Sequence, residues 1–407
     1  MNHQRIRTGE DMFTILNPHV SDFFASPLSF ILLKRRPLRK YGYIFDLSVA
    51  GGKKVDILIN NAFSGLIPDK IFRNIPGFLR TLWLRIELHY WLKHNKLKDR
   101  VTVHFNSRTI ANRRVLLFLC YRNYLNPGKL KETCAQFETV IGHLTHYYAT
   151  PSGYSNAVKD IPNLVLACDA DVTANPFFRN FFPWYKKEMI IIPFAVYERF
   201  KVLTPFEQRK PKAVATGTFH MLELDADQGH LTDLKEYAKA NTVHPLRRLI
   251  YENKEKYSGE IDCYCYPYFE SNVKKKKWYQ KLLPKKLQVS QSSYFSFNIV
   301  DKYNEYKFVI VGEEYYNGLP GVGAFEAMAC GCVLLGNREC YGGTGLVNGV
   351  HFLAHDNSME QIIALIREGN AAPEQMKRIS EAAASFVQAN YAPAVLYKKF
   401  IHTVETI

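Results

Sequence analysis

The sequence has 407 residues, of which 47% are hydrophobic and 14% aromatic, enough to bury the cores of two or three domains. Its net charge of +15 indicates an acidic partner surface, either anionic lipid or nucleic acid. The eight cysteines lack zinc-site spacing, and the sequence shows neither a secretory signal nor a long uncharged apolar run, so we expect a reduced, cytoplasmic protein that does not span a bilayer.

The first half of the chain alternates predicted strands with predicted helices. Short apolar runs predict strands at 42–48, 55–60, 101–107, 138–145, 164–168 and 189–196. Apolar residues at helical spacing predict helices at 76–97 and 109–125. In the first of these helices, Arg80, Arg85 and Lys93 lie off the apolar face. Such alternation predicts a mostly parallel, doubly wound α/β sheet.

The alternation restarts after a polar, proline-bearing break at 203–212. Strands are predicted at 213–220, 261–268, 308–311, 333–335 and 348–353, and helices at 245–257, 293–307, 359–369, 373–390 and 393–403. Ser358 and Gln361 have the spacing of a capping box, which opens the helix at 359. Pro373 stands in the first turn of the next helix, where its missing N–H costs nothing.

The most informative stretch runs from Lys307 to Leu353. A buried strand leads into a glycine-broken loop, then a short helix of small residues with one acid, Glu326, then a second strand and a glycine turn at 342–345. Strand, glycine loop and helix start form a unit that binds phosphate, because free backbone N–H groups and the positive helix end face the anion. Alternatively, the glycines serve only close packing of the helix on the sheet.

The segment FEAMACGCVLLG, followed by a GG turn and an NGVHFL strand ending at Asp356, resembles the C-terminal domain of group 1 (family 4-like) nucleotide-sugar glycosyltransferases of the GT-B fold. The resemblance covers about the last third of the chain. It implies two Rossmann-like, doubly wound parallel-sheet domains facing each other across a cleft. The implied units are an N-terminal acceptor-side domain at 1–205, a C-terminal nucleotide-sugar-binding domain at 206–390, and a closing helix at 391–407 that packs back on the first domain.

The same resemblance implies roles for residues in the second half. Glu326 would bind the ribose of the donor nucleotide. The family usually has a second glutamate eight positions earlier, where this chain has Gly318. Glu314 is the acid expected to act at the sugar. The loop expected to line the donor site consists of Asn317, Gly318, Gly321, Val322 and Gly323.

A second group of donor-site candidates lies earlier in that half. Gly217 and Thr218 follow its first strand, at a place where relatives approach the diphosphate. Relatives commonly carry an arginine and a lysine just beyond this strand, and this chain does not. Arg247 and Arg248 open the next helix and are the expected substitutes, with Arg247 the donor-site candidate, because a guanidinium binds phosphate with paired hydrogen bonds.

The first half supplies the candidate catalytic histidines, His143 and His146. They follow a predicted strand where the cleft of a doubly wound sheet opens. A histidine there can hydrogen-bond the sugar or take the acceptor proton, and a structural role at the strand end is the alternative. Asp169 and Asp171 form a D-x-D, a pattern that can hold a divalent metal ion. Because GT-B enzymes generally need no such metal, we expect neither a metal site nor a cofactor.

Basic residues cluster at 34–40, at 113–114 and above all at 273–288. In the last cluster Trp278 and Tyr279 interleave with lysines, a composition typical of contact with an anionic membrane. The alternative is a solvated basic loop. We therefore expect a cytoplasmic protein that can lie on the inner face of the plasma membrane, with nucleic acid not the expected partner.

Taken with the resemblance, these features favour one function and leave two alternatives. The favoured function is transfer of a sugar from a nucleotide-sugar donor to a saccharide or lipid-linked acceptor, in bacterial cell-surface polysaccharide synthesis, with retention of the anomeric configuration. One alternative is a DNA-modifying GT-B glucosyltransferase, for which the positive charge would be the DNA footprint. The other is a degenerate GT-B module that binds without transfer, prompted by Gly318.

Overall fold

The computed structural model describes residues 13–16, 40–59, 67, 69–118, 127–145, 151–219, 244–267, 297–312 and 318–407. Within these ranges the chain forms two parallel β-sheets with helices packed against them, one sheet from each half of the chain. The predicted α/β class with two doubly wound parallel sheets is therefore confirmed.

The first sheet has seven described strands, all parallel, in the order β3-β2-β1-β4-β5-β6-β7. The strands are β1 (Thr14–Leu16), β2 (Val55–Leu58), β3 (Val101–His104), β4 (Val115–Phe118), β5 (Thr139–His143), β6 (Leu164–Cys168) and β7 (Ile190–Ile191). The helices of this half are α1 (Gly42–Ala50), α2 (Asp69–Asn74), α3 (Gly77–His94), α4 (Pro127–Cys134), α5 (Pro151–Val158) and α6 (Pro176–Phe181).

The second sheet has five described strands, also all parallel, in the order β12-β11-β10-β8-β9. The strands are β8 (Lys210–Phe219), β9 (Ile261–Pro267), β10 (Tyr306–Val311), β11 (Val333–Asn337) and β12 (Phe352–His355). The helices are α7 (Pro245–Glu252), α8 (Ile299–Glu305), α9 (Val322–Ala329), α10 (Arg338–Tyr341), α11 (Met359–Ala371), α12 (Pro373–Tyr391) and α13 (Pro393–Thr406). Because all strands of a sheet run in one direction, their carboxyl ends share one edge, where ligands of such sheets bind.

Residues 42–48, predicted as a strand, form helix α1 instead, so that prediction was wrong. Their apolar run, Tyr43 to Phe45, is short, and a run of this kind suits a buried helix as well as a strand. Tyr43, Ile44 and Phe45 are each at most 3% exposed. The strand beside β2 is β1, which lies in the N-terminal segment where the sequence predicted no element.

Residues 109–125, predicted as a helix, contain strand β4 in their described part, so this prediction was wrong as well. The four residues of β4 are each at most 1% exposed, and the strand lies between β1 and β5. A parallel strand covered on both faces reads as a continuous apolar run, because no face is left for polar residues. Without alternation, the run was indistinguishable from the buried side of a helix.

The two halves pack together through shared hydrophobic contacts. Helix α13 lies against α1, where the hydroxyls of Ser48 and Tyr397 are 3.0 Å apart. Phe194 of the first half meets Phe325 of the second edge to face, with ring centroids 5.3 Å apart. The contact between Ser48 and Tyr397 holds the C-terminal helix against the first half, while the domain bounds themselves stay predictions. Among the described helices, none is long and apolar enough to cross a membrane.

Candidate functional site

The glycine loop and helix α9 are built for a close approach to strand β10. Gly321 is the N-cap of α9, and no side chain caps its first N–H groups. A Cβ on Gly321 would lie 3.1 Å from Val311 Cγ1, and one on Gly323 would lie 3.0 Å from the Tyr303 hydroxyl. This tight packing explains why residues 321 and 323 are glycines. It also places the uncapped start of α9 at the carboxyl end of β10.

Gly318 brings this loop against the first half of the protein. Its φ of +65° lies in the left-handed region that favours glycine. A Cβ at this position would stand 2.9 Å from the side-chain nitrogen of Asn175, which caps helix α6. Glutamate at 318 would therefore meet both backbone strain and Asn175. Two other predicted residues of this region, Glu314 and Asn317, lie outside the described residues.

Three further predicted residues, Gly217, Thr218 and Arg247, come together at the carboxyl end of β8. The Arg247 side chain lies across Gly217, and its Nη1 donates to the Thr218 carbonyl oxygen at 2.8 Å. Gly217 has a φ of +132°, and a Cβ there would overlap the guanidinium. Residue 217 must therefore be glycine for Arg247 to lie in this position.

Gly217 and Gly312 together form a cradle for the Arg247 side chain, and Gly312 was not predicted from the sequence. It follows β10, and a Cβ there would overlap the aliphatic part of Arg247. Its carbonyl oxygen is 3.9 Å from the Cβ position of Gly321, so Arg247 lies close to the start of α9. The signal was its place directly after the buried strand, where a glycine lets a side chain lie on the backbone. The Nε of Arg247 is buried and has no hydrogen-bond partner among the described residues.

Glu326 lies on α9 and is half-buried. Burial raises the pKa of its carboxyl to about 7, against the opposing effect of Arg199 and then Lys40, two cations of the first half. A carboxyl group whose pKa lies near neutral pH can accept hydrogen bonds when ionised and donate one when protonated. Neither cation was singled out from the sequence as a site residue. Lys40 belongs to the basic cluster at 34–40, while no feature of the sequence marked Arg199 as a site residue.

Across from α9, the ends of β6 and β7 hold Asp169 in a hydrogen-bonded position. The Tyr41 hydroxyl donates to Oδ1 and Oδ2 of Asp169, at 2.9 and 3.0 Å, and the Phe194 N–H donates to Oδ1 at 3.0 Å. Burial raises the pKa of Asp169 to about 6, with Lys40 acting in the opposite direction. Tyr41 was missed because the segment that follows it was predicted as a strand.

The two aspartates of the D-x-D are used differently by the protein. Asp171 accepts hydrogen bonds at Oδ1 from the N–H and the hydroxyl of Thr173, at 2.9 and 2.7 Å. Asp169 is held by Tyr41 and Phe194. In the described ranges, no group of three or more carboxylate, histidine or cysteine side chains is arranged as a metal site.

His143, predicted as catalytic, lies directly behind Tyr41. Its ring is fully buried, with its centroid 4.6 Å from that of Tyr41. Nε2 donates to the Ile192 carbonyl oxygen at 2.8 Å, so Nδ1 accepts from the Thr145 hydroxyl at 2.6 Å. Burial lowers the pKa of His143 to about 4, which keeps the ring neutral at pH 7. In this arrangement both ring nitrogens have protein partners, and the catalytic role of His143 stays a prediction; His146 lies outside the described residues.

The described site residues belong to both halves, and the two halves meet beside them. Phe194 and Phe325 pack together, and a Cβ on Gly343 would lie 4.0 Å from the Asp171 carbonyl oxygen. The second half contributes an uncapped helix start and a guanidinium, both suited to an anion. Lys40 and Arg199 of the first half add positive charge beside the carboxylate of Glu326.

Known proteins were compared with the chain by sequence and by structure. No protein-family model matches it, and no curated protein is similar to it in sequence. A glycosyltransferase from Rickettsia africae ESF-5 is similar in structure, with 11% identity, a TM-score of 0.50, and coverage of 98% of this chain and 99% of that chain.

Two further solved structures cover the chain to the same extent. Anabaena Alr3699/HepE in complex with UDP-glucose has 10% identity and a TM-score of 0.49, over 97% of this chain and 99% of that chain. Sucrose-phosphate synthase from Thermosynechococcus elongatus has 12% identity and a TM-score of 0.49, over 98% of both chains. At such identities a likeness establishes the fold alone, and the narrower resemblance to group 1 enzymes stays a prediction. The two parallel sheets and the likeness to the Rickettsia glycosyltransferase together show that the chain has the GT-B fold along nearly its whole length.

Proposed function

We propose that the protein is a glycosyltransferase whose second half binds a nucleotide-sugar donor. The observation that carries this proposal is the position of Arg247 over Gly217 and Gly312, with a buried Nε that has no partner in the described part of the chain. A guanidinium held in this way keeps hydrogen-bond donors for an anion. The start of α9 adds N–H groups that no side chain caps. Together they suit a diphosphate.

Glu326 supports the nucleoside part of this proposal. It lies four residues after the first residue of α9, in the helix whose start is close to Arg247. Ribose hydroxyls can donate hydrogen bonds to its carboxylate, and binding them would favour the ionised form. Lys40 and Arg199 favour that form as well, because they are the cations near Glu326.

The proposed reaction places charge where these residues can stabilise it. The bond between the anomeric carbon and the phosphate oxygen breaks, and the leaving nucleoside diphosphate takes the electron pair. Donors already aimed at the diphosphate stabilise that charge without reorganising during the reaction. An acceptor hydroxyl then forms the new glycosidic bond and loses its proton. His146 and Glu314 are the candidates to take it, while His143 positions Tyr41.

For the acceptor we propose a saccharide or a lipid-linked saccharide, as in bacterial cell-surface polysaccharide synthesis. The resemblance to group 1 enzymes supports this choice, and the basic clusters are consistent with an enzyme that works at the inner face of the plasma membrane. We propose retention of the anomeric configuration on the same resemblance. The anomer of the product, determined by NMR, tests this part, and an inverted product would contradict it.

The donor site can be tested by thermal shift with a panel of nucleotide sugars. A ligand that binds only the native state raises the melting temperature, by mass action. We expect one nucleotide class to do so in the wild type, and Arg247→Ala to weaken that nucleotide by roughly tenfold or more, the cost of a charged hydrogen bond. Arg248→Ala is the matched control, because Arg248 is the next residue and pairs with Glu252 on the helix surface.

Two results would favour the other functions instead. A net charge of +15 also suits DNA, so preferential binding to duplex DNA over anionic vesicles would favour a DNA-modifying glucosyltransferase. Gly318 stands where relatives carry a glutamate, so a chain that binds the donor but neither transfers nor slowly hydrolyses it would favour a binding module. Equal effects of Arg247→Ala and Arg248→Ala would contradict the donor site itself.

A further inference from the structure

The outer face of helix α3 carries large apolar side chains that the protein does not bury. Five of them are between 41% and 72% exposed: Phe78, Leu79, Leu82, Ile86 and Tyr90. Ile71 of the preceding helix is also exposed, at 58%. Soluble proteins rarely leave large apolar side chains in one contiguous patch, and such patches mark interaction surfaces.

The spacing of these residues makes the patch a continuous stripe. Phe78, Leu82, Ile86 and Tyr90 recur every fourth position, so they follow one another along one side of the helix. At about 1.5 Å per residue, the stripe is roughly 18 Å long. The opposite side holds the helix on the protein, since Leu84 and Trp91 are buried and the Trp91 ring lies 5.7 Å from Phe45. The exposed stripe is therefore additional to the side that folding requires.

The exposed charges along the stripe and just after it are mostly basic. Within α3 they are Arg85 and Lys93, and the turn that follows exposes Lys96, Lys98 and Arg100 against one acid, Asp99. The one acid of α3 itself, Glu87, is buried and accepts a hydrogen bond from Trp83 Nε1 at 2.6 Å. An apolar stripe with aromatic residues and flanking cations is the composition of a helix that lies in a membrane interface.

We propose that the outer face of α3 docks on an anionic lipid membrane. The apolar side chains would enter the boundary between headgroups and acyl chains, and the cations would contact the anionic headgroups. A second copy of the chain fits less well, because its own α3 would bring the same excess of cations to the contact, against one exposed acid, Asp99, beyond the end of the helix. The proposal does not depend on which reaction the cleft performs.

The direction of α3 places the start of this surface at the carboxyl edge of the first sheet. The helix belongs to the crossover between β2 and β3, which are parallel, so it runs antiparallel to the strands of the first sheet. Its N-terminal end, with Phe78 and Leu79, therefore lies toward the edge where β5 and β6 end at His143 and Asp169. Docking through α3 would bring a membrane-borne acceptor to the rim of the cleft on the acceptor side.

The test is co-sedimentation of the full chain with vesicles of phosphatidylcholine containing phosphatidylglycerol, and with pure phosphatidylcholine vesicles. The variant Phe78→Gln/Leu82→Gln/Ile86→Gln removes the apolar stripe and keeps helix propensity. We expect it to weaken binding to the anionic vesicles by at least about tenfold. The control Val347→Gln/Val350→Gln changes two apolar residues that are 51% and 48% exposed elsewhere, and should bind like the wild type.

Charge is tested separately with two variants of equal net charge. Lys93→Glu/Lys98→Glu should weaken anionic-vesicle binding, and Lys398→Glu/Lys399→Glu, on the exposed side of α13, should not. All variants are repeated in a chain with the four lysines at 274–277 changed to Ser, so that the basic segment does not hide the effect of α3. Unchanged melting temperatures exclude unfolding as the cause. Binding that survives the loss of the stripe, equal binding to neutral vesicles, or conversion of a dimer to a monomer without a change in vesicle binding would each overturn the proposal.

Discussion

The guanidinium of Arg247 occupies the space into which any side chain at residue 217 would project. Gly217 and Arg247 are thus one structural unit. The hydrogen bond from Arg247 Nη1 to the Thr218 carbonyl oxygen belongs to the same unit, although these two residues are 29 positions apart in the chain. The unit also includes Gly312 at the end of the neighbouring strand. Two glycines lie against the arginine, and its Nε has no hydrogen-bond partner among the described residues, so in the proposed site the guanidinium keeps donors for an anion.

Substituting Gly217 by Ala should damage both stability and nucleotide binding. The new Cβ would overlap Arg247, and a φ of +132° strains any residue other than glycine. Strain of this kind costs about 1–3 kcal/mol of the free energy of unfolding. Gly259→Ala is the control, since a Cβ there meets nothing within 4 Å, and it should change stability by less than about 0.5 kcal/mol. Chemical denaturation measures the free energy of unfolding of both variants, and equal losses of stability would argue against the cradle.

Glu326→Gln should weaken the cognate nucleotide by roughly tenfold or more while leaving the fold intact, because a charged hydrogen bond is lost. The wild type should also show a pH dependence. In the proposed site ribose hydroxyls would bind the ionised carboxylate, whose pKa burial raises to about 7 in the free protein. Binding therefore lowers that pKa and releases a proton, so affinity should rise as pH increases through about 7 and level off above it. Calorimetric titration across this range should show no such rise in the Gln variant.

Transfer should persist in excess chelator. The Asp169 carboxylate is held by Tyr41 and Phe194, and Asp171 by Thr173, so the protein's own donors use both oxygens of Asp169 and Oδ1 of Asp171. In the proposed site the diphosphate charge is met by Arg247 and the start of α9. Product formation measured with and without chelator checks this expectation. Activity that is lost to chelator and restored by manganese would instead assign the two aspartates to a metal.

The lysine-rich segment at 273–288, which lies outside the described residues, should contribute its own attraction to acidic vesicles. Each cation near an anionic surface adds about 1 kcal/mol, and the attraction is screened within about 8 Å at physiological salt. Changing the four lysines at 274–277 to Ser should reduce binding to acidic vesicles and flatten its dependence on salt. A variant with Lys159, Lys186, Lys398 and Lys399 changed to Ser has the same net charge and should retain most of the binding. Salt-resistant binding of the wild type would contradict electrostatic docking.

The sequence by itself predicted the local order of the second half, because each piece there has a local physical signal. β10 is a buried apolar run, α9 begins at a glycine, α11 is capped by Ser358 and α12 begins with Pro373. The grouping of Gly217, Thr218 and Arg247 was also predicted from their places at the ends of neighbouring elements. In the first half, α1 and β4 were assigned wrongly, since each contains a short buried apolar run that is too short to reveal its period.

The tertiary structure alone decided which distant residues meet at the cleft. Tyr41, Lys40 and Arg199 reach Asp169 and Glu326 from segments far apart in the chain, and no local pattern links them. It also decided which side of α3 faces the core. The helical spacing was visible in the sequence, but apolar residues recur around much of this helix. Only the packing of Trp91 and Leu84 against the first half leaves Phe78, Leu82 and Ile86 exposed, because a helix on one face of a sheet can bury only one of its sides.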